Sequence, residues 1–363
     1  MVDLQRSKTV FLAGVATVAS TMVGAPVAAS AAPWTERTIL SLDLLPGGTT
    51  SRATAVNDHG VIVGYGDTAN GENHAVRWSP DGRVTDLGTL PGSTHSYAYA
   101  INDHGDTVGY ADTPDGERAV RWAPDGTVTD LGTLPGAFTA RAYGINDDGS
   151  VVGEVPIRSK TFHAVKWRPD GTVIDIGTES SRSSTSATAI NNHDVAIGRT
   201  YSPGGGHFHE AVAWPAGATA FAVLPLLPDG GPRSTAVGVN EEGLIVGYAQ
   251  AKPSTPQKYP VHAILWSPGT SAPVDLGGLP GAGDYSAAND INAANDIVGN
   301  SATSTPGERD AVLWEWSSDG WHIEPLPQLP GGHESEATAI NDLGVVVGEA
   351  VTASGQRVAV RWQ

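Results

Sequence analysis

One unit of about 45 residues recurs seven times along this 363-residue chain, and that period restricts the fold more than any other feature. Its clearest marker is an asparagine that ends an A-x-A-[IV]-N run or a close variant. The seven are Asn57, Asn102, Asn146, Asn191, Asn240, Asn292 and Asn341, spaced by 45, 44, 45, 49, 52 and 49 residues. A [VI]-x-G run follows each, with glycines at Gly64, Gly109, Gly153, Gly198, Gly247, Gly299 and Gly348. Then comes a tryptophan: Trp78, Trp122, Trp167, Trp214, Trp266, Trp314 and Trp362. Repeats of ~40–45 residues that each hold four short strands are the mark of a β-propeller.

In the copy centred on Asn102, four β-rich runs alternate with turn residues: YAYAIN, DTVGYA, RAVRW and TVTDLG. We name them strands a to d. The N-D-x-G step between a and b suits a type I turn closed by a left-handed glycine, so the repeated asparagine reads as structural. Between c and d, a two-residue turn at Asp81-Gly82 would set Arg77 opposite Asp86; the same spacing pairs Arg121 with Asp130 and Lys166 with Asp175. Strand a repeats a small residue (Ala53, Ala98, Ala142, Ala187, Ala236, Ala288, Ala337), as the innermost strand of a crowded ring requires. The tryptophans, on strand c, belong to the core where the wedge between blades widens. A d-type run, TILSLDLLPG (Thr38 to Gly47), precedes the first full unit, and Trp362 ends a strand c with no d after it. Placing that first run beside the last strand c completes the ring and removes two open edges. The expected fold is all-β: a seven-bladed β-propeller with four antiparallel strands per blade, closed by the N-terminal strand.

Residues 1–32 read as an export signal. Arg6 and Lys8 supply positive charge, Val10 to Val23 an apolar stretch, and Ala28 to Pro33 a small-residue cleavage site. Residues 33–363 then form a single propeller domain outside the cell, with no membrane insertion. The absence of cysteine excludes disulfides, thiolate metal sites and cysteine nucleophiles. The part after the signal holds 19 basic and 38 acidic residues, a net charge of −19 that argues against nucleic acid or anionic lipid as partner.

The unit A-x-A-I-N-D-x-G-x-V-V-G-Y … H-A-V-x-W … D-L-G-x-L-P-G resembles the HAF repeat of exported bacterial proteins, named for a His-Ala-Phe triplet. The triplet stands here as His74-Ala75-Val76, His163-Ala164-Val165 and His262-Ala263-Ile264, with Val or Ile in place of Phe. The resemblance covers residues 38–362. It implies an extracellular repeat protein and no particular reaction.

Function in a repeat fold is sought where the copies differ. At the entrance of strand a, the residues before the repeated alanine are Arg52, Tyr97, Arg141, Ser186, Thr235, Ala287 and Glu336. A ring of cations, an aromatic, hydroxyls and an acid around an axial depression suits a small polar or sugar ligand. His207 and His209, in GGGHFHE, alternate on one side of an extended segment and are weak metal candidates without evident further ligands. No cofactor is expected. Acidic turns such as DTANGEN (Asp67 to Asn73) loosely resemble calcium loops but lack the closing bidentate glutamate. No nucleophile elbow, His-Glu-x-x-His or phosphate loop occurs. The sequence therefore favours a monomeric, non-catalytic binding or scaffold module for an extracellular protein or glycan. The alternative is an extracellular hydrolase or lyase with an acidic central pocket. The discriminator is a carboxylate pair or a base of perturbed acidity within reach of one pocket, and the sequence shows none.

Overall fold

The computed structural model describes residues 37–363 except 159–160, 178–183, 202–208, 254 and 256–258, so the expected export signal and His207 lie outside the described residues. The strands run in chain order. After β1 (Ile39–Ser41), blade 1 holds β2 (Ser51–Val56), β3 (Ile62–Asp67), β4 (Asn73–Trp78) and β5 (Val84–Asp86). Blade 2 holds β6 (Ser96–Ile101), β7 (Thr107–Thr113), β8 (Gly116–Trp122) and β9 (Val128–Asp130). Blade 3 holds β10 (Arg141–Ile145), β11 (Val151–Arg158), β12 (Thr161–Trp167) and β13 (Val173–Asp175). Blade 4 holds β14 (Ser184–Ile190), β15 (Ala196–Tyr201), β16 (His209–Trp214) and β17 (Ala222–Val223). Blade 5 holds β18 (Ser234–Val239), β19 (Ile245–Gln250), β20 (Val261–Trp266) and β21 (Val274–Gly277). Blade 6 holds β22 (Ser286–Ile291), β23 (Ile297–Ala302), β24 (Arg309–Ser317) and β25 (Gly320–Pro325), and blade 7 holds β26 (Ser335–Ile340), β27 (Val346–Val351) and β28 (Arg357–Trp362). The last sheet has the order β1-β28-β27-β26, so the N-terminal strand completes blade 7 as expected.

The repeated residues each have a mechanical reason. Every strand a carries a β-bulge just after its repeated alanine, as at Ala53/Ala55. The carbonyl before that alanine then leans onto strand b. A Cβ on Gly64, Gly109 or Gly153 would lie 1.8–1.9 Å from the oxygen of Arg52, Tyr97 or Arg141, and the other four copies are equally tight. Only glycine fits. Each tryptophan indole N–H donates to a carbonyl at the end of the preceding strand d or in the loop after it, as in Trp78 to Asp43 (2.7 Å) and Trp214 to Ile176 (2.7 Å), so the buried ring also fixes its neighbour blade. Between blades, hydroxyls at the start of strand a accept a backbone N–H from the preceding strand c, for example Ala75 to Ser96 (2.8 Å) and Ala359 to Ser51 (2.9 Å).

The asparagines do more than form turns. Asn57 Oδ1 accepts N–H groups of His59 (3.2 Å) and Val61 (2.9 Å), as a turn residue should. Its Nδ2 donates to the carbonyl of Asn102, which donates to that of Asn146, and so on until Asn341 donates to Asn57. Seven hydrogen bonds of 2.9–3.2 Å close a belt around the axis.

The expected cross-strand pairs between c and d are displaced by one residue. Asp86 lies opposite Val76 and Arg77 opposite Thr85. The turn is not a two-residue one: Gly82 N–H donates to Ser79 O, Ser79 N–H to Arg83 O, and Gly82 alone has positive φ (88°). This is a type I turn with a glycine bulge, which adds a residue and shifts the register. Asp86, Asp130 and Asp175 therefore pair with His74 (2.8 Å), Arg118 (2.8 Å) and His163 (2.8 Å). Arg121 instead reaches Asp106 (2.5 Å), and Lys166 reaches Asp194.

Candidate active site in the axial channel

Seven copies of strand a surround the axis, and the predicted ring sits on them. The register sets a second ring beside it on strand b: Tyr65, Tyr110, Glu154, Arg199, Tyr248, Asn300 and Glu349. Arg52 and Glu336 come together, Nη2 to Oε2 at 3.1 Å, and Arg52 Nη1 also lies 3.1 Å from Glu349 Oε1. Arg141 grips Glu117 through Nε and Nη2, both at 2.6 Å, and is 3.6 Å from Glu154. The Glu117 bonds raise the guanidinium pKa further, burial opposing them. The two cations of the predicted ring are thus already neutralised by carboxylates, of which Glu117, Glu154 and Glu349 were outside that ring.

Tyr97 belongs to an aromatic wall on blades 1 to 3. Its ring lies 5.1 Å from Tyr65, edge on, and 4.9 Å from Tyr110. Tyr99 continues the wall, 5.8 Å from Tyr110 and 5.4 Å from Tyr143. Arg141 lies 5.3 Å from the Tyr110 ring centre. Burial pushes the hydroxyls of Tyr65, Tyr99, Tyr110 and Tyr143 up, so they are neutral donors at any working pH. Ser186 and Thr235 lie apart from this cluster, on blades 4 and 5, and both are buried. His209 starts β16 with its ring 4.6 Å from Tyr201, edge on. Among the described residues, no group of three or more histidine or acidic side chains is arranged to hold a metal. Asp67, from the calcium-like turn, accepts the backbone N–H groups of Thr49 (2.8 Å) and Thr50 (2.6 Å).

Deeper along the axis stands a group that the sequence reading did not single out. Two residues after the repeated alanine, six blades carry Ala55, Ala100, Gly144, Ala189, Gly238 and Ala339; blade 6 carries Asp290. Its Oδ2 accepts the Ile340 N–H of the next blade (3.0 Å), and its Oδ1 accepts the Ile291 N–H (2.9 Å). On the preceding blade, a Cβ at Gly238 would come 2.9 Å from the Asp290 Cα, so the glycine makes its room. Protein encloses the carboxyl, and that burial pushes it up to about 7 despite the two backbone donors. Part of the residue nevertheless stays accessible. Its neighbour Asn289 donates to Glu336 Oε1 (3.3 Å) and to the Ala337 carbonyl (2.8 Å), tying strand a of blade 6 to that of blade 7.

The opposite mouth, on the face of the a–b turns, is a depression of about 180 Å³. Asp58, Asp103, Asp147, Glu241 and Asp342 rim it. Most accept a backbone N–H from the blade before, as Asp103 does from Asp58 (2.9 Å) and Asp58 does from Asp342 (2.8 Å). Burial and the neighbouring carboxylates push Asp58 up.

A carboxyl that titrates near neutrality can take a proton from a substrate or a water and return it. A comparison of the aligned copies would have exposed Asp290 as the one ionisable residue at a position otherwise limited to alanine and glycine.

No protein-family model and no curated protein matches the chain. Solved structures do. A streptogramin B lyase is similar over 91% of this chain and 98% of its own, at 11% identity and a TM-score of 0.55. A puromycin-hydrolyzing peptidase of Mycobacterium tuberculosis matches 87% of this chain at 13% identity and a TM-score of 0.55, and a prolyl endopeptidase matches 87% at 12% and 0.55. This chain spans 52% and 50% of those two peptidases. At these identities the likeness is one of fold, here a propeller whose similar structures include enzymes. The expectation of a non-catalytic binding or scaffold module, and of no enzymatic activity, is therefore corrected. The similar propellers include a lyase of nearly the same extent, and a carboxyl of raised pKa, Asp290, stands on the innermost strand of blade 6.

Proposed function

We propose that this protein is an exported enzyme, a hydrolase or lyase, that works in its axial channel. The observation that carries the reading is Asp290: a partly accessible acid held near neutrality on the innermost strand of blade 6, at a position where the other six blades allow only Ala or Gly. In this reading Asp290 is the general base, activating a water or removing a proton from the substrate. Glu336 and the Tyr65–Tyr143 wall position the substrate, with the phenols as neutral hydrogen-bond donors to developing negative charge. That a lyase of comparable extent shares the fold supports a propeller acting without a further domain. The N-terminal signal pattern and the resemblance to HAF repeats support export.

The test is turnover of a panel of esters, lactones, aryl glycosides and uronic-acid glycosides by the wild type and by Asp290→Asn. Loss of a positioned base costs about 10²–10⁴ in rate, so D290N should lose at least 100-fold in kcat/KM on any substrate the wild type accepts. The rate should rise with pH through an apparent pKa near 7, because only the ionised carboxylate accepts a proton. Equal activity of D290N and wild type would overturn the reading.

A further inference from the structure

The two ring halves differ in how their cations are used. Arg52, Arg118, Arg121, Arg141 and Arg357 each have a carboxylate oxygen within 3.1 Å. That is expected in a chain with 39 acidic and 21 basic residues. Arg199 has no such carboxylate, as Arg77 and Arg309 have none among the described residues, but of these it alone stands in the inner strand-b ring. It lies on β15, opposite Ser186. Its Nε is buried with no hydrogen-bond partner, and so is the Oγ of Ser186. Its guanidinium lies 5.5 Å from the ring centre of Tyr201, which is half-buried and in turn packs on His209. The equivalent positions hold Tyr65, Tyr110, Glu154, Tyr248, Asn300 and Glu349, so this cation is particular to blade 4.

A guanidinium on the inner ring with no carboxylate partner among the described residues offers an anion from outside a place to bind. Its fork matches a carboxylate better than any other small anion of biological ligands, and the tyrosine shelf holds the fork in place. We propose that Arg199 is the anion-binding group of the channel and that the ligand carries a carboxylate next to a ring, aromatic or pyranose. Blade 4 follows blade 3 in the ring, so a ligand anchored at Arg199 can set its ring towards the Tyr143 end of the aromatic wall. Ser186 adds a hydroxyl that has no partner until a ligand or its water supplies one. This inference rests on the channel being the substrate site, and it specifies the substrate class.

The experiment is calorimetric titration of the full chain with phenylacetate and with D-glucuronate, each beside its neutral counterpart, phenylacetamide or D-glucose. At least one acid should bind saturably, at least tenfold tighter than its neutral partner, and more weakly as salt is raised. The two arms tell an aromatic from a sugar acid. Arg199→Gln should weaken the acid at least tenfold. Ser186→Ala should weaken it a few fold without loss of thermal stability, since the hydroxyl it removes is unpaired. Failure of both acids to bind, equal binding of acid and neutral partner, or wild-type affinity in R199Q would each overturn the proposal; if R199Q does not fold, the acid-against-neutral comparison on the wild type decides. Loss of turnover in D290N with no acid binding would sink this inference and leave the enzymatic reading standing; acid binding with undiminished turnover in D290N would do the reverse.

Discussion

Residue identities in this chain divide by what surrounds them. The strand-b glycines sit where a bulged carbonyl leaves no space for a methyl group. Gly153→Ala would drive a Cβ to 1.9 Å from the Arg141 oxygen, and neither backbone can yield without breaking the bulge. The expected cost is about 3 kcal/mol or more, read as a matching loss in a denaturant unfolding curve; a change below about 1 kcal/mol would contradict the steric account. Arg141, next to it, shows why residue type alone misleads. It reads as a ligand-binding cation in sequence, but Glu117 and Glu154 already hold it. Those partners come from strands b and c, and no fixed spacing announces them. Asp290 is the opposite case. Its signal was present in the aligned copies, yet it lies below the ring of variable residues where function was sought, and its shifted acidity arises only from packing.

At the scale of elements, most of the architecture was legible because the chain repeats it. Seven tryptophans, seven asparagines and seven alanines fix the blade count, and the orphan d-type run fixes the closure. The c–d hairpin was legible in place but not in register, because Pro-Asp-Gly fits two turn types and the choice between them moves every pairing by one residue. The asparagine belt was legible only in part: the turn role follows from N-D-x-G, whereas the seven Nδ2-to-carbonyl bonds require the ring to be closed. Closure itself is open to test. β1 supplies the last ladder through Ile39, Leu40 and Ser41 against Trp362, Arg361 and Val360. Deleting the chain through Ser41 should expose the β28 edge, lower Tm by roughly 10 °C and promote self-association. A melt and a size-exclusion profile like those of the full chain would contradict the role given to β1.

For the whole molecule, near-sevenfold symmetry provides rigidity, and departures from it provide chemistry. Blades 7 and 1 to 3 present a neutralised, aromatic arc; blade 4 presents a guanidinium with no carboxylate partner among the described residues; blade 6 places an acid on its innermost strand. Such an acid is costly to fold around. Its folded pKa of about 7 exceeds the ordinary value of 3.8, so the native state holds the proton more tightly. Stability from this group is therefore full below about pH 4 and is lost as pH rises to about 7. A residue that weakens the fold at neutral pH, on a scaffold that elsewhere uses Ala or Gly, fits a catalytic assignment better than a structural one. The most direct test is a carbon-13 NMR titration of the aspartate side-chain carboxyl carbons, with D290N used to assign the Asp290 signal. A midpoint near 7 is the predicted result. A midpoint near 4, in the ordinary carboxylate range, would remove the base on which the enzymatic account depends.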